Sequence, residues 1–154
     1  APTPTAASPS APRTAPATPP TVGLHRVSSP RGWRNPSGSW SASDTMNSRV
    51  QVFNAGGEVL ERKFGARGLY VGNLVRPKGV AVDNENHVYV IESYYDHLLV
   101  FNRNGEYLLP IGGTGQGTGR FFLPAGVWVD ARNRVFVADM FNGRVMVFQF
   151  LGGG

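Results

Sequence analysis

Cysteine is absent from this chain of 154 residues, histidine occurs three times, and charged side chains make up 16% of it. The first absence excludes disulfides, thiolate metal sites and cysteine nucleophiles. The second leaves His25, His87 and His97, whose positions supply neither an HxH nor an HExxH metal pair. Long apolar runs are also lacking, since no stretch approaches the roughly 18 to 20 residues of a membrane-spanning helix. No amphipathic helical period of useful length occurs, and there is no GxSxG nucleophile elbow. The chain opens at Ala1 with no initiating Met and no basic-then-apolar leader, which fits a processed protein or a fragment.

What charge there is carries a formal net value of +5, with a pI near 10.1. Its location decides its meaning. Residues 1–44 hold Arg13, Arg26, Arg31 and Arg34 against Asp44, whereas the remainder holds eleven Lys or Arg against nine Asp or Glu. The later part is close to balanced and its charges are scattered, so the sequence offers no basic stripe for nucleic acid. Nine of the twelve prolines precede residue 37, and from Ala1 to Pro20 every residue except Arg13 is Ala, Pro, Ser or Thr. Such a stretch has too little apolar surface to offset its ordering entropy, and a disordered tail is expected over residues 1–43.

Beyond the tail the chain repeats itself. "DTMNSRVQVFNAGGEVL" from Asp44, "ESYYDHLLVFNRNGEYL" from Glu92 and "DMFNGRVMVFQFLGG" from Asp139 align, with Phe53, Phe101 and Phe148 marking steps of 48 and 47 residues. Upstream of the last two, "RPKGVAVDNENHVYVIE" from Arg76 matches "LPAGVWVDARNRVFVAD" from Leu123. Within each unit the apolar runs are short, rich in Val, Phe, Tyr and Leu, and bounded by turn residues, which predicts strands. Val80 with Val82, and Val127 with Val129, fall on one face of an inner strand. "VYVIE" and "VFVAD" are apolar on both faces, so burial on both is expected. "NAGG" and "NRNG" supply hairpin turns into a fourth strand.

Four antiparallel strands in a unit of about 47 residues describe a propeller blade. The pattern PxGVxVD…VYV…D…NxRVxVF…G, running from about Arg34 to Leu151, resembles the NHL-repeat family of β-propellers. The expected fold is all-β, an incomplete propeller of four-stranded antiparallel blades behind the tail. The blades fall at 44–75 (partial), 76–113 (complete) and 123–151 (without its outer strand). In such propellers a strand from the N-terminal end commonly completes the last blade, so the stop after "VFQFLGGG" is expected at a native C-terminus. The beginning departs from the pattern: Pro36 stands 8 residues before Asp44, against 15 between Pro77 and Glu92 and between Pro124 and Asp139. That shortening predicts that the first blade has lost its strand-turn-strand core.

The recurring polar residues have two readings. Asp44, Asn47 and Arg49, then Glu92, then Asp139, Asn142 and Arg144 stand where the second strand turns into the third. They form either a metal-like array or, as we expect, turn caps with an Arg–carboxylate pair. Asp83 and Asp130 end the inner strands and read as turn starts. "GGTGQGTGRFFLPAG" from Gly112 is glycine-rich but opens onto a strand, matches neither GxGxxG nor GxxxxGK, and reads as a blade-to-blade crossing. No catalytic, cofactor-binding or metal residue is assigned. Tyr94, Tyr95, His97, Met140 and Phe141, in the loops between second and third strands, are the candidate partner contacts.

The expected function is a non-enzymatic protein-interaction or scaffold module without a cofactor. Its partner is another protein, the remaining propeller blades or a further copy of the chain. Two alternatives follow from the resemblance: a metal-dependent propeller enzyme of the lyase or lactonase kind, and an RNA-binding NHL module, against which the near-neutral repeats argue. The resemblance also implies an extracytoplasmic location.

Overall fold

The computed structural model describes residues 38–149. The expected tail, apart from its last few positions, lies outside them, as do His25 and the final residues of the third blade. The chain forms β1 (Trp40–Asp44), a 3-10 turn (Thr45–Asn47), β2 (Arg49–Phe53), β3 (Leu60–Phe64), β4 (Pro77–Val82), β5 (Val88–Glu92), β6 (His97–Phe101), β7 (Tyr107–Gly112), β8 (Pro124–Val129), β9 (Arg134–Asp139) and β10 (Arg144–Gln149). These make three antiparallel sheets, β1-β2-β3, β4-β5-β6-β7 and β8-β9-β10. The all-β fold and the meandering blades are those expected. Among the described residues no helix is long and apolar enough to cross a membrane.

The first blade corrects one expectation. Residues 40–43 are not tail but most of β1, paired with β2 from Trp40↔Phe53 to Asp44↔Arg49. The second strand of this blade has therefore survived, and only the inner strand and its turn have no counterpart among the described residues. "WSASD" has little strand propensity of its own; the free edge of β2 and the Trp40 indole, which donates to Ala55 O at 3.0 Å, set its pairing.

Stacking of the sheets follows from alternation along each strand. Val88 and Val90 point from β5 toward the first blade, where they join Val50, Leu74, Val80, Leu99 and Phe101 in one apolar layer. Tyr89 and Ile91 point the other way and join Ala81, Leu98, Val100, Phe121, Val127, Val135 and Val137 in a second. At about 2 kcal/mol for each large side chain removed from water, these two layers hold the blades together. All five residues of β5 are buried, as read from the sequence. In β9 only one face is: Val135, Val137 and Asp139 are buried, while Arg134 and Ala138 are exposed. Both strands carry the same apolar rhythm, but among the described residues only the middle blade has a neighbour on each side.

Polar contacts reinforce the stack near its axis. Thr45 Oγ1 donates to Pro77 O at 2.6 Å, and Ser43 Oγ donates to Lys78 O. At the opposite end, Asn84 N donates to Asn133 Oδ1 at 2.9 Å and Asn84 Nδ2 to Ala131 O at 3.0 Å.

Candidate interaction surface

Because the strands meander, the turns from second to third strand and the blade-to-blade crossings share one end of the stack. Each turn there closes through a residue in the left-handed region, Ser48 (φ 55°), Asp96 (φ 56°) or Gly143 (φ 62°). Each also closes on a carboxylate. Asp44 accepts from Asn47 Nδ2 and Arg49 Nε, both at 2.9 Å. Asp139 accepts from Asn142 Nδ2 and Arg144 Nε at 2.8 Å, and from Phe122 N at 2.7 Å. Burial alone would raise both carboxyls, but these hydrogen bonds and the Arg charges outweigh it and hold both below the usual carboxylate range. Glu92 makes the same closure without Asn or Arg, accepting from Arg76 N at 2.6 Å and from Tyr94 N and Tyr95 N at 3.2 Å. Asp44, Asn47, Arg49, Glu92, Asp139, Asn142 and Arg144 thus make these contacts in or beside the turns.

The glycine-rich crossing is organised around Arg144. Its guanidinium donates to Gln116 O, Gly117 O and Arg120 O at 2.8 to 2.9 Å, and Asn142 Nδ2 reaches Gly115 O at 2.9 Å. A phosphate cradle presents N–H groups; this loop turns carbonyls inward onto a cation. Three of its N–H groups are engaged by carbonyls, Gly113 N by Asp96 O, Gly115 N by Phe121 O and Arg120 N by Gly117 O. Removing the Arg144 side chain takes one donor from each of four acceptors, one of them the buried Asp139. Arg144→Ala is expected to lower the free energy of unfolding by about 2 kcal/mol, measured by urea denaturation. Arg144→Lys is expected to recover little, since one ammonium cannot span the same set of acceptors.

Asp96 escaped the sequence reading. It is buried, its carboxylate accepts from Thr114 Oγ1 at 2.8 Å and Leu123 N at 2.9 Å, and it fastens both ends of the crossing. The equivalent positions hold Ser48 and Gly143, so no repeated carboxylate advertises it. Asp83 likewise closes its own turn. It accepts from Glu85 N, His87 N and Tyr89 OH at 2.8 to 2.9 Å, and its Oδ2 lies 2.9 Å from His87 Nδ1. Burial, and then the Asp83 charge and hydrogen bond, push the Tyr89 phenol well above its ordinary range. Asp130 accepts from Arg132 N and Arg134 N at 2.9 Å and pairs with the Arg134 guanidinium at 2.7 Å. Among the described residues no three His, Asp or Glu are grouped to hold a metal ion.

The candidate partner contacts divide into two sets. Tyr94 is exposed and Tyr95 half-buried, their rings edge to face at 4.8 Å, with the Arg76 guanidinium 5.9 Å from the Tyr94 ring. His97 begins β6 and is half-buried; desolvation, aided by Arg120, lowers its pKa against the pull of Glu92 and Asp96. Tyr95 and His97 line a shallow cavity with Leu69, Tyr70 and Val71 of the β3–β4 crossing. Those three apolar side chains are exposed and were not singled out from the sequence. Met140 and Phe141 are exposed at the next turn, where Phe141 lies 4.5 Å from the Phe122 ring. Phe121 is wholly buried between the blades, whereas Leu123 is exposed, with its backbone in the left-handed region at a φ of 51°.

A further exposed apolar surface lies on the outward sheet face of the third blade. Trp128, Phe136, Ala138, Val145 and Val147 share that face by strand alternation and register. Trp128 is 46% exposed, Val145 63% and Val147 53%. The Trp128 and Phe136 rings lie 5.0 Å apart, and the Arg134 guanidinium lies over the Phe136 ring, 5.5 Å from its centroid. Residues 71–153, more than half of the chain and including the second and third blades with this open face, match a known family model. The chain belongs to the 6-bladed beta-propeller family. Comparison with curated proteins finds no match. Membership explains the open face: in a propeller every blade is covered on both sides, and here the face that a following blade would cover is apolar.

Proposed function

We propose that this propeller chain is a non-enzymatic protein-interaction module built from NHL-type blades. It docks through the outward face of its third blade, flanked by Met140 and Phe141, and the exposed Tyr94 belongs to the same turn-bearing end as those two. The observation that carries this reading is the contiguous face of Trp128, Phe136, Ala138, Val145 and Val147. Soluble proteins keep exposed apolar patches small, and larger ones mark docking surfaces. The polar groups at the turn-bearing end support the same reading, because their carboxylates are engaged in holding loops.

Site-specific photo-crosslinking in cells that make the chain tests it. A crosslinking residue at position 147 is expected to yield protein adducts, and one at the exposed Arg103 position is not. Absence of adducts at 147 contradicts the reading. So does a stoichiometric divalent ion that survives dialysis and is lost in Asp139→Ala, the outcome a metal-dependent propeller enzyme requires.

A further inference from the structure

We infer that the cavity at the β3–β4 crossing is a socket for a guanidinium group, the side chain of an arginine presented by a partner protein. The β7–β8 crossing holds the same group from within the chain. Arg144 is seated against residues 116–120 there, with Nε on Asp139 Oδ2 and Nη1 on Gln116 O, both at 2.8 Å, and Nη2 on Gly117 O and Arg120 O at 2.9 and 2.8 Å. The backbone of the β3–β4 crossing repeats this path 47 residues earlier in the sequence. Leu74 N donates to Ala66 O as Phe121 N does to Gly113 O, and Asn73 N donates to Tyr70 O as Arg120 N does to Gly117 O. Gly72 and Gly119 both take positive φ, 98° and 76°.

The side chains that meet the two crossings differ. His97 stands at the place of Arg144, and Tyr95 at that of Asn142. The imidazole is shorter than an arginine chain, and its Nε2 lies 3.7 Å from where a Cβ on Gly113 would stand, at the following crossing. A cavity of about 130 Å³ is left, and Leu69, Tyr70, Asn73, Glu92, Tyr95 and His97 are among the residues lining it. Leu69, Tyr70 and Asn73 are the positional counterparts of Gln116, Gly117 and Arg120, whose carbonyls receive Arg144, and Glu92 is the counterpart of Asp139. Glu92 is 1% exposed, yet among the described residues it has no cation in ion-pair contact, whereas Asp44 and Asp139 each have one. Two nearby guanidiniums are turned to other groups, Arg76 to the Tyr94 ring and Arg120 to Gly112 O. The cavity matches the share of about four waters at ~30 Å³ each, which admits a guanidinium. A buried carboxylate, backbone acceptors and tyrosine rings suit that group, which only donates hydrogen bonds and stacks on aromatic faces. The exposed Leu69 and Val71 at the rim offer apolar contact to the polypeptide that carries the arginine.

NMR titration of the isotope-labelled chain tests the socket, with a short end-blocked peptide carrying one central arginine as the probe. Saturable shifts are expected at the amides of residues 69–73, Tyr95 and His97. The same peptide with citrulline, which keeps the shape and loses the charge, is expected to bind about tenfold or more weakly, the factor one lost charge-assisted hydrogen bond gives. His97→Arg supplies the guanidinium from within, as Arg144 does at the next crossing. That variant is expected to lose the peptide-induced shifts while the rest of its spectrum stays that of the folded chain. Equal binding of the two peptides, shifts confined to other residues, or no saturable shift up to about 10 mM peptide overturns the socket. Undiminished binding by folded His97→Arg does so as well. The socket lies apart from the third blade's outward face, so its failure leaves the crosslinking result at position 147 untouched.

Discussion

Phe121→Ala is expected to lower the free energy of unfolding by about 3 to 5 kcal/mol, the range for truncating a buried aromatic. Phe121 is fully buried in the layer between the second and third blades, with its ring 5.7 Å from that of Phe148. It enters that layer from the crossing loop, not from a strand, so its removal opens a cavity that no strand can slide to fill. The backbone bonds of the same residue, Phe121 N to Gly113 O and Gly115 N to Phe121 O, are available to Ala as well, so the loss is that of the ring's packing. Leu74 holds the equivalent place between the first two blades and is likewise fully buried. Leu74→Ala is therefore expected to act in the same direction on the first junction. Urea titration followed by tryptophan fluorescence measures both.

Gly79→Val attacks the second junction from its inner side and is expected to cost about 3 kcal/mol, the upper part of the range for overpacking. A Cβ on Gly79 would stand 2.9 Å from Val127 N and 3.0 Å from Gly126 Cα. Both are backbone atoms of β8, so no side chain can rotate away, and the inner strands β4 and β8 must separate. The separation also strains the Asn84 contacts to Ala131 and Asn133 at the ends of the same strands. Gly126→Ala, by contrast, is expected to change stability far less, because a Cβ there meets only Ala138 Cβ at 4.0 Å. Parallel urea curves for the two variants give the comparison, and similar losses would show that the blades do not approach through Gly79.

Much of this was legible in the sequence, for definite reasons. Periodicity sets which residues share a face, so Val80, Val82, Val127 and Val129 were placed correctly. Turn chemistry is local, so the Asp–Asn–Arg closures at Asp44 and Asp139 could be read from spacing. Tertiary pairing is not local, which is why "WSAS", residues 40–43, read as tail although it pairs with β2. Asp96 was illegible because its function belongs to one blade junction and has no echo at Ser48 or Gly143. What distinguishes β9 from β5 is whether a neighbour is present, and the alternation of residues does not encode that.

Amide hydrogen exchange on the Val147→Glu variant, in which the third blade's outward face stays uncovered, tests the central claim that stability is set by blades covering one another. Exchange slows where buried contacts make opening costly. The predicted result is slowest exchange in β5 and β6, with β10 faster by on the order of tenfold or more despite its equally complete pairing to β9. Exchange in β10 as slow as in β5 would contradict the account, because strand pairing alone, without a covering blade, would then suffice to hold the sheet.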